Sequence, residues 1–147
     1  MSIVIRKMTA RDESEVLSMM ETFYSSAAVH TNGSQKIFSD DFKECVSDSP
    51  YLNGFIFECD GAVAGYAMTA HGFSTEFGAR CVWIEDLYLL PEFRRRGIGE
   101  RFFTFLEDLF NDCVFRLEAE EDNFPAVSLY EKRGFERLPY LEMIKHK

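Results

Sequence analysis

Apolar and polar positions follow two different periods along the chain, and the changes between them predict ten secondary-structure elements. Short runs rich in β-branched and aromatic residues predict strands, whereas apolar residues spaced three and four apart predict helices. The predicted strands cover residues 3–8, 53–59, 62–71, 82–90, 114–118 and 135–145. The predicted helices cover residues 9–24, 39–46, 98–110 and 123–133.

Capping residues set the expected starts of the first two helices. Thr9 and Asp12 have the spacing of a capping box, in which each residue satisfies a polar group of the other. Ser39 is the predicted N-cap of the second helix, because a serine oxygen can accept a hydrogen bond from a backbone N–H of the first turn. Phe42 and Val46 of that helix lie four residues apart and are expected to face the core.

Glycine, asparagine and aspartate mark the turns. Asp60–Gly61 separates two strand patterns by two residues and predicts a tight hairpin. Loops are expected at Asn32–Gly33 and over residues 72–79. Asn123 is the predicted N-cap of the last helix, and Gly134 predicts its left-handed C-terminal end.

The order of elements predicts an α/β chain with α+β layering. Strand–helix–strand units in the second half of the chain imply parallel neighbours, whereas the central hairpin is antiparallel. The sheet is therefore expected to be mixed, with helices on both of its faces.

The composition is that of a folded protein. Of 147 residues, 46% are hydrophobic and only 4 are proline, so we expect one folded domain over residues 1–147. No apolar run approaches the roughly 20 residues of a membrane span, and the first residues lack a signal-peptide pattern. We therefore expect a cytoplasmic protein with no membrane partner. The four cysteines lack metal-ligand spacing and are expected to be reduced thiols, and no metal is expected.

The charge is strongly negative overall but reverses at one loop. A net charge of −9 argues against nucleic acid as a partner and favours a cationic substrate, although solubility alone also explains it. Against this background Arg94, Arg95 and Arg96 are consecutive. Such a local concentration of positive charge is suited to an anionic ligand.

The same loop places two glycines at the start of a predicted helix. Gly97 and Gly99 carry no Cβ, so backbone N–H groups there can approach a ligand closely. Unpaired N–H groups at a helix N-terminus favour an anion, which predicts a phosphate site. The alternative is a basic surface loop that only caps a helix. The Walker and dinucleotide-binding patterns are absent from the sequence.

Two motifs resemble the GNAT superfamily of acyl-coenzyme A-dependent N-acetyltransferases. The first is R-x-x-G-x-G, formed by Arg94, Gly97 and Gly99 after a strand. The second is N-x-x-A-x-x-L-Y-E-K-x-G-F, which runs from Asn123 to Phe135. The resemblance implies acetyl-CoA as co-substrate and a mixed, mostly antiparallel sheet. It also implies that the fourth and fifth strands splay apart to form a slot for the pantetheine arm.

The resemblance also implies roles for individual residues. Tyr130 would be the general acid, and the Asn123 side chain would bind the cofactor. Backbone groups of the strand before the loop would pair with the pantetheine arm, and the loop would hold the pyrophosphate. These cofactor-binding positions are Leu87, Tyr88, Leu89, Arg94, Arg95, Arg96, Gly97, Ile98, Gly99 and Glu100. Many such proteins pair, so a homodimer is a further expectation.

Glu85 is the second candidate catalytic residue. A carboxylate within an apolar strand is costly to bury, so it either points to water at an edge or has a chemical role. Deprotonating an aliphatic ammonium of pKa about 10.4 costs about 4–5 kcal/mol at pH 7, and a carboxylate can accept that proton. Residues 83–88 are similar to the corresponding strand of diamine and polyamine N-acetyltransferases.

These observations predict transfer of an acetyl group to a primary amine by direct attack in a ternary complex. Glu85 and Asp86 are expected where the acceptor enters. Asp40, Asp41 and Glu44 crowd the second helix, and this acidic charge favours a small cationic acceptor. One alternative acceptor is a protein N-terminus or a lysine side chain. Another alternative is a non-catalytic coenzyme A sensor, which would need neither Tyr130 nor Glu85.

Overall fold

The computed structural model describes residues 1–31 and 33–147, and within them five strands form one sheet. The strands lie side by side in chain order, and only the last pair is parallel. They are β1 (Ile3–Lys7), β2 (Leu52–Cys59), β3 (Ala62–Ser74), β4 (Ala79–Leu89) and β5 (Cys113–Leu117). The predicted mixed sheet is confirmed.

In the described part of the chain, four α-helices cover the two faces of this sheet. They are α1 (Glu13–Tyr24), α2 (Gln35–Val46), α3 (Ile98–Leu109) and α4 (Phe124–Lys132). Short 3₁₀ turns precede α1 at Ala10–Asp12 and follow β4 at Pro91–Phe93. Side chains of α1 and α2 pack in one core, and those of α3 and α4 pack in the other. The predicted layering is confirmed.

Successive residues of β2 contribute side chains to the two cores in turn. Ile56 packs with α1 and α2, whereas its neighbours Phe55 and Phe57 pack with α3. The Phe102 ring of α3 lies 5.0 Å from that of Phe57 and 6.1 Å from that of Phe55, and all three rings are fully buried. Because successive strand residues point to opposite faces, one apolar run anchors helices on both sides.

The start of α2 differs from the prediction. Ser34, not Ser39, is the N-cap, and its hydroxyl accepts from the Ile37 N–H at 3.2 Å. The helix begins earlier because Phe38 is buried one turn before Phe42 and extends the same apolar face. Val46, predicted to face inward, is 36% exposed. The predicted loop at Asn32–Gly33 falls partly on residue 32, which lies outside the described residues.

Several turn predictions hold. The Thr9 backbone N–H donates to the Asp12 carboxylate at 2.8 Å, as the capping box predicts. Asp60 and Gly61 both have positive φ in the β2–β3 turn, and Gly134 has φ +90° after α4. The loop predicted over residues 72–79 is shorter, because β3 extends to residue 74 and β4 begins at residue 79.

The predicted final strand is wrong. Residues 135–147 form no ladder, and beyond Phe135 their large apolar side chains form no buried face: Leu141, Met143 and Ile144 are each at least 80% exposed. Pro139 also lacks the N–H that a ladder needs. A cavity of about 1110 Å³ lies between this segment, α3, α4 and β5.

All four cysteines are free, as expected. None of the helices in residues 1–31 and 33–147 combines the length and the hydropathy required to cross a bilayer.

Candidate active site

The β4–β5 ladder ends in the middle of β4. The last pair is Ile84 with Leu117, although β4 continues to Leu89. At the same point the pairing of β4 with β3 shifts by one residue: Ile84 pairs with Thr69 and Asp86 pairs with Met68. Glu85 is therefore the extra residue of a β-bulge, which bends a strand and re-aims its side chains.

Beyond the bulge, β4 has a partner on the β3 side only within the described part of the chain. Leu87, Tyr88 and Leu89 occupy this segment. Leu87 and Leu89 pack with the α3 core, whereas Tyr88 packs with α1 and α2. The segment therefore leaves one edge open beside β5, which is the slot expected from the sequence.

The arginine- and glycine-rich loop follows the open segment. Arg95 and Gly97 have left-handed backbones, with φ of 61° and 80°, and Gly97 is the N-cap of α3. Alternating backbone conformations of this kind turn N–H groups toward a common concavity that suits an anion. No atom lies within 4 Å of an ideal Cβ at Gly97, so the concavity is accessible.

The next residues fix α3 rather than face the loop. Ile98 is 1% exposed and anchors the first turn in the core. A Cβ at Gly99 would lie 3.0 Å from the Leu129 side chain, so glycine here permits close packing of α3 on α4. The Glu100 carboxylate lies 2.8 Å from the Lys132 ammonium and 3.6 Å from the Arg133 guanidinium. Only the backbone N–H groups of this turn are therefore suited to a ligand.

The side chains of Arg94 and Arg96 contact residues next to the loop. The Arg94 Nε donates to the Leu89 carbonyl at 2.9 Å, and the Arg94 guanidinium lies 5.6 Å from the Tyr88 ring centroid. The Arg96 guanidinium lies 5.4 Å from the Phe93 ring centroid. These contacts connect the end of β4 to the start of α3.

The two residues predicted from the second motif lie on α4. Tyr130 packs edge-on against Phe103 and Phe135, at 5.9 and 6.0 Å between ring centroids. Burial raises the pKa of Tyr130, so the hydroxyl stays protonated at neutral pH. Asn123 is the N-cap of α4, and among the described residues its side chain makes no capping bond. Its amide is thus available to a ligand.

Carboxylates crowd the point where the strands separate. Glu85 is exposed to solvent, and its pKa is raised by partial desolvation and by the charges of Asp86 and Glu142. Asp41 of α2 is half-buried, and burial, Asp86, Asp40 and Glu85 raise its pKa to about 6. Partial desolvation and the nearby carboxylate of Glu142 raise the pKa of Glu118 to about 7. A bound cation would relieve this repulsion.

Asp86 was expected beside Glu85 at the entrance, but it is only 2% exposed and lies beneath it. Its two oxygens accept from the hydroxyls of Tyr24, at 2.8 Å, and Tyr66, at 2.7 Å. Tyr24 lies in a predicted helix and Tyr66 in a predicted strand, and no sequence motif assigned either residue to the site. An aspartate within an apolar strand needs buried donors, which is the signal that could have identified the two tyrosines.

A known protein family matches most of the chain. The model of the acetyltransferase (GNAT) family matches residues 16–135. The chain therefore belongs to this family.

Relatives with curated descriptions match about half of the chain. Mycothiol acetyltransferase of Geodermatophilus obscurus is 35% identical over 78 residues, which are 53% of this chain and 24% of that protein. Thialysine N-epsilon-acetyltransferase of Mus musculus is 35% identical over 79 residues, which are 52% of this chain and 46% of that protein. The chain thus spans less than half the length of these relatives.

Solved structures match the whole chain at low identity. A possible acetyltransferase from Clostridium difficile 630 has a TM-score of 0.81 and 19% identity, over 99% of this chain and 97% of that one. AAC(6')-Iy in complex with a bisubstrate analog has a TM-score of 0.80 and 17% identity, over 100% and 99%. A predicted acetyltransferase from Clostridium acetobutylicum, solved with acetyl-CoA, has a TM-score of 0.74 and 21% identity, over 97% of this chain and 96% of that one. At these identities the likeness shows the fold, and it confirms the predicted GNAT fold.

Proposed function

We propose that this chain transfers an acetyl group from acetyl-CoA to the primary amine of a small cationic acceptor. The observation that carries the proposal is the coincidence of three features at one place. The β4–β5 ladder ends at Ile84, and Glu85 is the bulge residue, exposed to solvent. The part of β4 without a β5 partner is followed by the loop at residues 94–100.

Acetyl-CoA fits the open strand and the loop. The pantetheine arm carries amide groups that can pair with the open edge at Leu87 and with the Leu89 N–H, as an added strand does. The Leu89 carbonyl already accepts from Arg94. The pyrophosphate would then lie on the backbone N–H groups from Arg95 to Glu100, where the left-handed residues and the start of α3 favour an anion. The Asn123 amide is available to bind the cofactor from the other side of the slot.

The carboxylates favour a cationic acceptor. Partial desolvation, followed by the charges of neighbouring carboxylates, raises the pKa of Asp41 and of Glu85, and a diamine would replace that repulsion with attraction. The names of two similar proteins specify amine acceptors: one is a thialysine N-epsilon-acetyltransferase, and the other is an aminoglycoside N-acetyltransferase. A diamine, a polyamine or a lysine-like amine is therefore the acceptor class we propose.

The chemistry is one direct displacement. Glu85 accepts a proton from the ammonium, directly or through water, and the free amine attacks the thioester carbonyl carbon. A backbone N–H at the open strand stabilises the charge that develops on the carbonyl oxygen. The C–S bond then breaks, and the departing thiolate takes the proton of the Tyr130 hydroxyl. The raised pKa of Tyr130 keeps that proton in place beforehand. The acetylated nitrogen loses its second proton to water, and water returns a proton to Tyr130.

A panel assay tests the acceptor class. Diamines, polyamines, lysine, aminoglycosides and peptides are each supplied with acetyl-CoA, and acetylated product is measured by mass spectrometry. Direct product detection is needed because the chain's own four thiols would react with disulfide reagents. We expect turnover with the small dications. Turnover with peptides or aminoglycosides but not with diamines and polyamines would contradict the proposal, and coenzyme A binding without turnover of any amine would favour a sensor.

A second experiment tests the role of Glu85. In Glu85→Gln the rate loss should be largest near neutral pH and should shrink toward about pH 10.4, where the amine is already deprotonated. Glu21→Gln on the exposed part of α1 is the matched control and should behave like the wild type. An equal loss at every pH would assign Glu85 to binding or structure instead.

A further inference from the structure

A buried acid lies directly behind the proposed base. Asp86 follows the bulge residue Glu85, is 2% exposed, and has each carboxylate oxygen hydrogen-bonded to a different tyrosine hydroxyl. Burying a carboxylate is costly unless donors compensate, so the two hydroxyls hold Asp86 in place. The position of Asp86 in turn constrains the backbone of the bulge.

The two tyrosines come from different layers of the fold. Tyr66 lies in β3, is fully buried, and precedes by two residues Met68, the strand partner of Asp86. Tyr24 is the last residue of α1, and its ring lies 5.2 Å from that of Phe38 in α2. The carboxylate thus bonds the bulge of β4 to β3 and to α1, and the Tyr24 ring extends the contact to α2.

We propose that Asp86, clamped between Tyr24 and Tyr66, is a positioning residue for the reaction proposed above: it fixes the bulge that presents Glu85 to the slot. This inference rests on the proposed function. It assigns Asp86 no contact with either substrate. Its charge acts on Glu85 through the protein, and the clamp keeps that charge at a fixed separation.

Several ionisable groups surround this position. They are Tyr24 from α1, Asp41 from α2, Tyr66 from β3, Glu118 beyond β5 and Glu142 from the C-terminal segment. Burial raises the pKa of Asp86, and the two hydroxyl bonds oppose that rise. The Asp86 charge, together with Glu142 and partial desolvation, raises the pKa of Glu85. Removing the charge should therefore lower the pKa of Glu85.

Two variants separate geometry from charge. Tyr24→Phe with Tyr66→Phe keeps both rings but removes both donors, and we expect kcat to fall about 10²-fold, the loss typical of a small misplacement. The KM for acetyl-CoA should stay within about twofold, because the loop at residues 94–100 is untouched. Asp86→Asn should move the acid limb of the pH–rate profile to lower pH. Tyr51→Phe, at a residue 70% exposed, is the matched control.

A titration of ¹³C-labelled glutamate carboxyls needs no substrate. We expect the Glu85 resonance, assigned with Glu85→Gln, to titrate at lower pH in Asp86→Asn than in the wild type. An unchanged Glu85 titration would overturn the inference, even if every amine in the panel is acetylated. If no amine is acetylated but the titration moves, the proposed function fails and the clamp stands. Should the double variant be unfolded, Tyr24→Phe alone, which leaves Tyr66 bonded, gives the same kcat test.

Discussion

Replacing Gly97 by valine should abolish coenzyme A binding and leave the fold intact. Gly97 has φ +80°, and nothing lies within 4 Å of an ideal Cβ there, so the side chain would enter the concavity above the N–H groups. Gly61 provides a matched control in the β2–β3 turn, with φ +84° and equally open surroundings. Both substitutions therefore carry the same backbone strain, but only the first lies at the proposed site.

The magnitudes follow from this match. An L-residue in the left-handed region costs roughly 1–2 kcal/mol. At about 2–4 °C per kcal/mol for a chain of this size, each variant should melt about 2–8 °C below the wild type. Coenzyme A at about 100 times its Kd should stabilise a competent protein by about 2.7 kcal/mol, or about 5–11 °C.

Thermal melting with and without coenzyme A measures both effects. We expect the ligand-induced rise in Tm to persist in the wild type and in Gly61→Val, and to vanish in Gly97→Val. A full rise in Gly97→Val would refute the placement of the phosphates at this loop. Loss of the rise in both variants would show that strain anywhere in the fold weakens binding, and would equally remove the support for this site.

Further predictions concern the chemistry, the core and the assembly. Tyr130→Phe should lower kcat by about 10²- to 10⁴-fold without changing the coenzyme A-induced rise in Tm, and unchanged turnover would exclude Tyr130 as the acid. Steady-state kinetics with both substrates varied should give intersecting lines, because transfer is direct; parallel lines would indicate an acetylated enzyme. Phe102→Ala should lower the free energy of unfolding by about 3–5 kcal/mol in urea titrations, since its ring is fully buried, and a loss below about 1 kcal/mol would contradict the packing. Light scattering should return the mass of two chains, and the mass of one chain at micromolar concentration would contradict the expected homodimer.

Local signals predicted most of the fold. The first five strand patterns, the Asp60–Gly61 turn and the glycine after α4 depend on residues close in sequence, and the structure confirms them. The start of α2 was misplaced because Ser34 and Ser39 are both good caps, and only the burial of Phe38 decides between them. Residues 135–145 have the composition of a strand, but strand formation depends on a partner edge and a buried face, which sequence does not reveal.

The parts of the candidate site that depend on residues close in sequence were predictable. The loop glycines and Tyr130 belong to contiguous motifs, and Glu85 stood out as a carboxylate in an apolar strand. The bulge at Glu85 could not be predicted, because it depends on the register between β3 and β4. The bonds from Tyr24 and Tyr66 to Asp86 join residues 62 and 20 positions apart in the sequence, so only the folded chain brings them together.

The outer side of β5 has a consequence for the behaviour of concentrated solutions. Among the described residues β5 pairs with β4 alone, so its other backbone edge is a template for a strand from another molecule. At low ionic strength the net charge of −9 keeps copies apart. At about 1 M salt the Debye length falls to about 3 Å and that repulsion is screened. Self-association through β5 should therefore increase with salt. Dilute solutions in low-salt buffer should best prevent it.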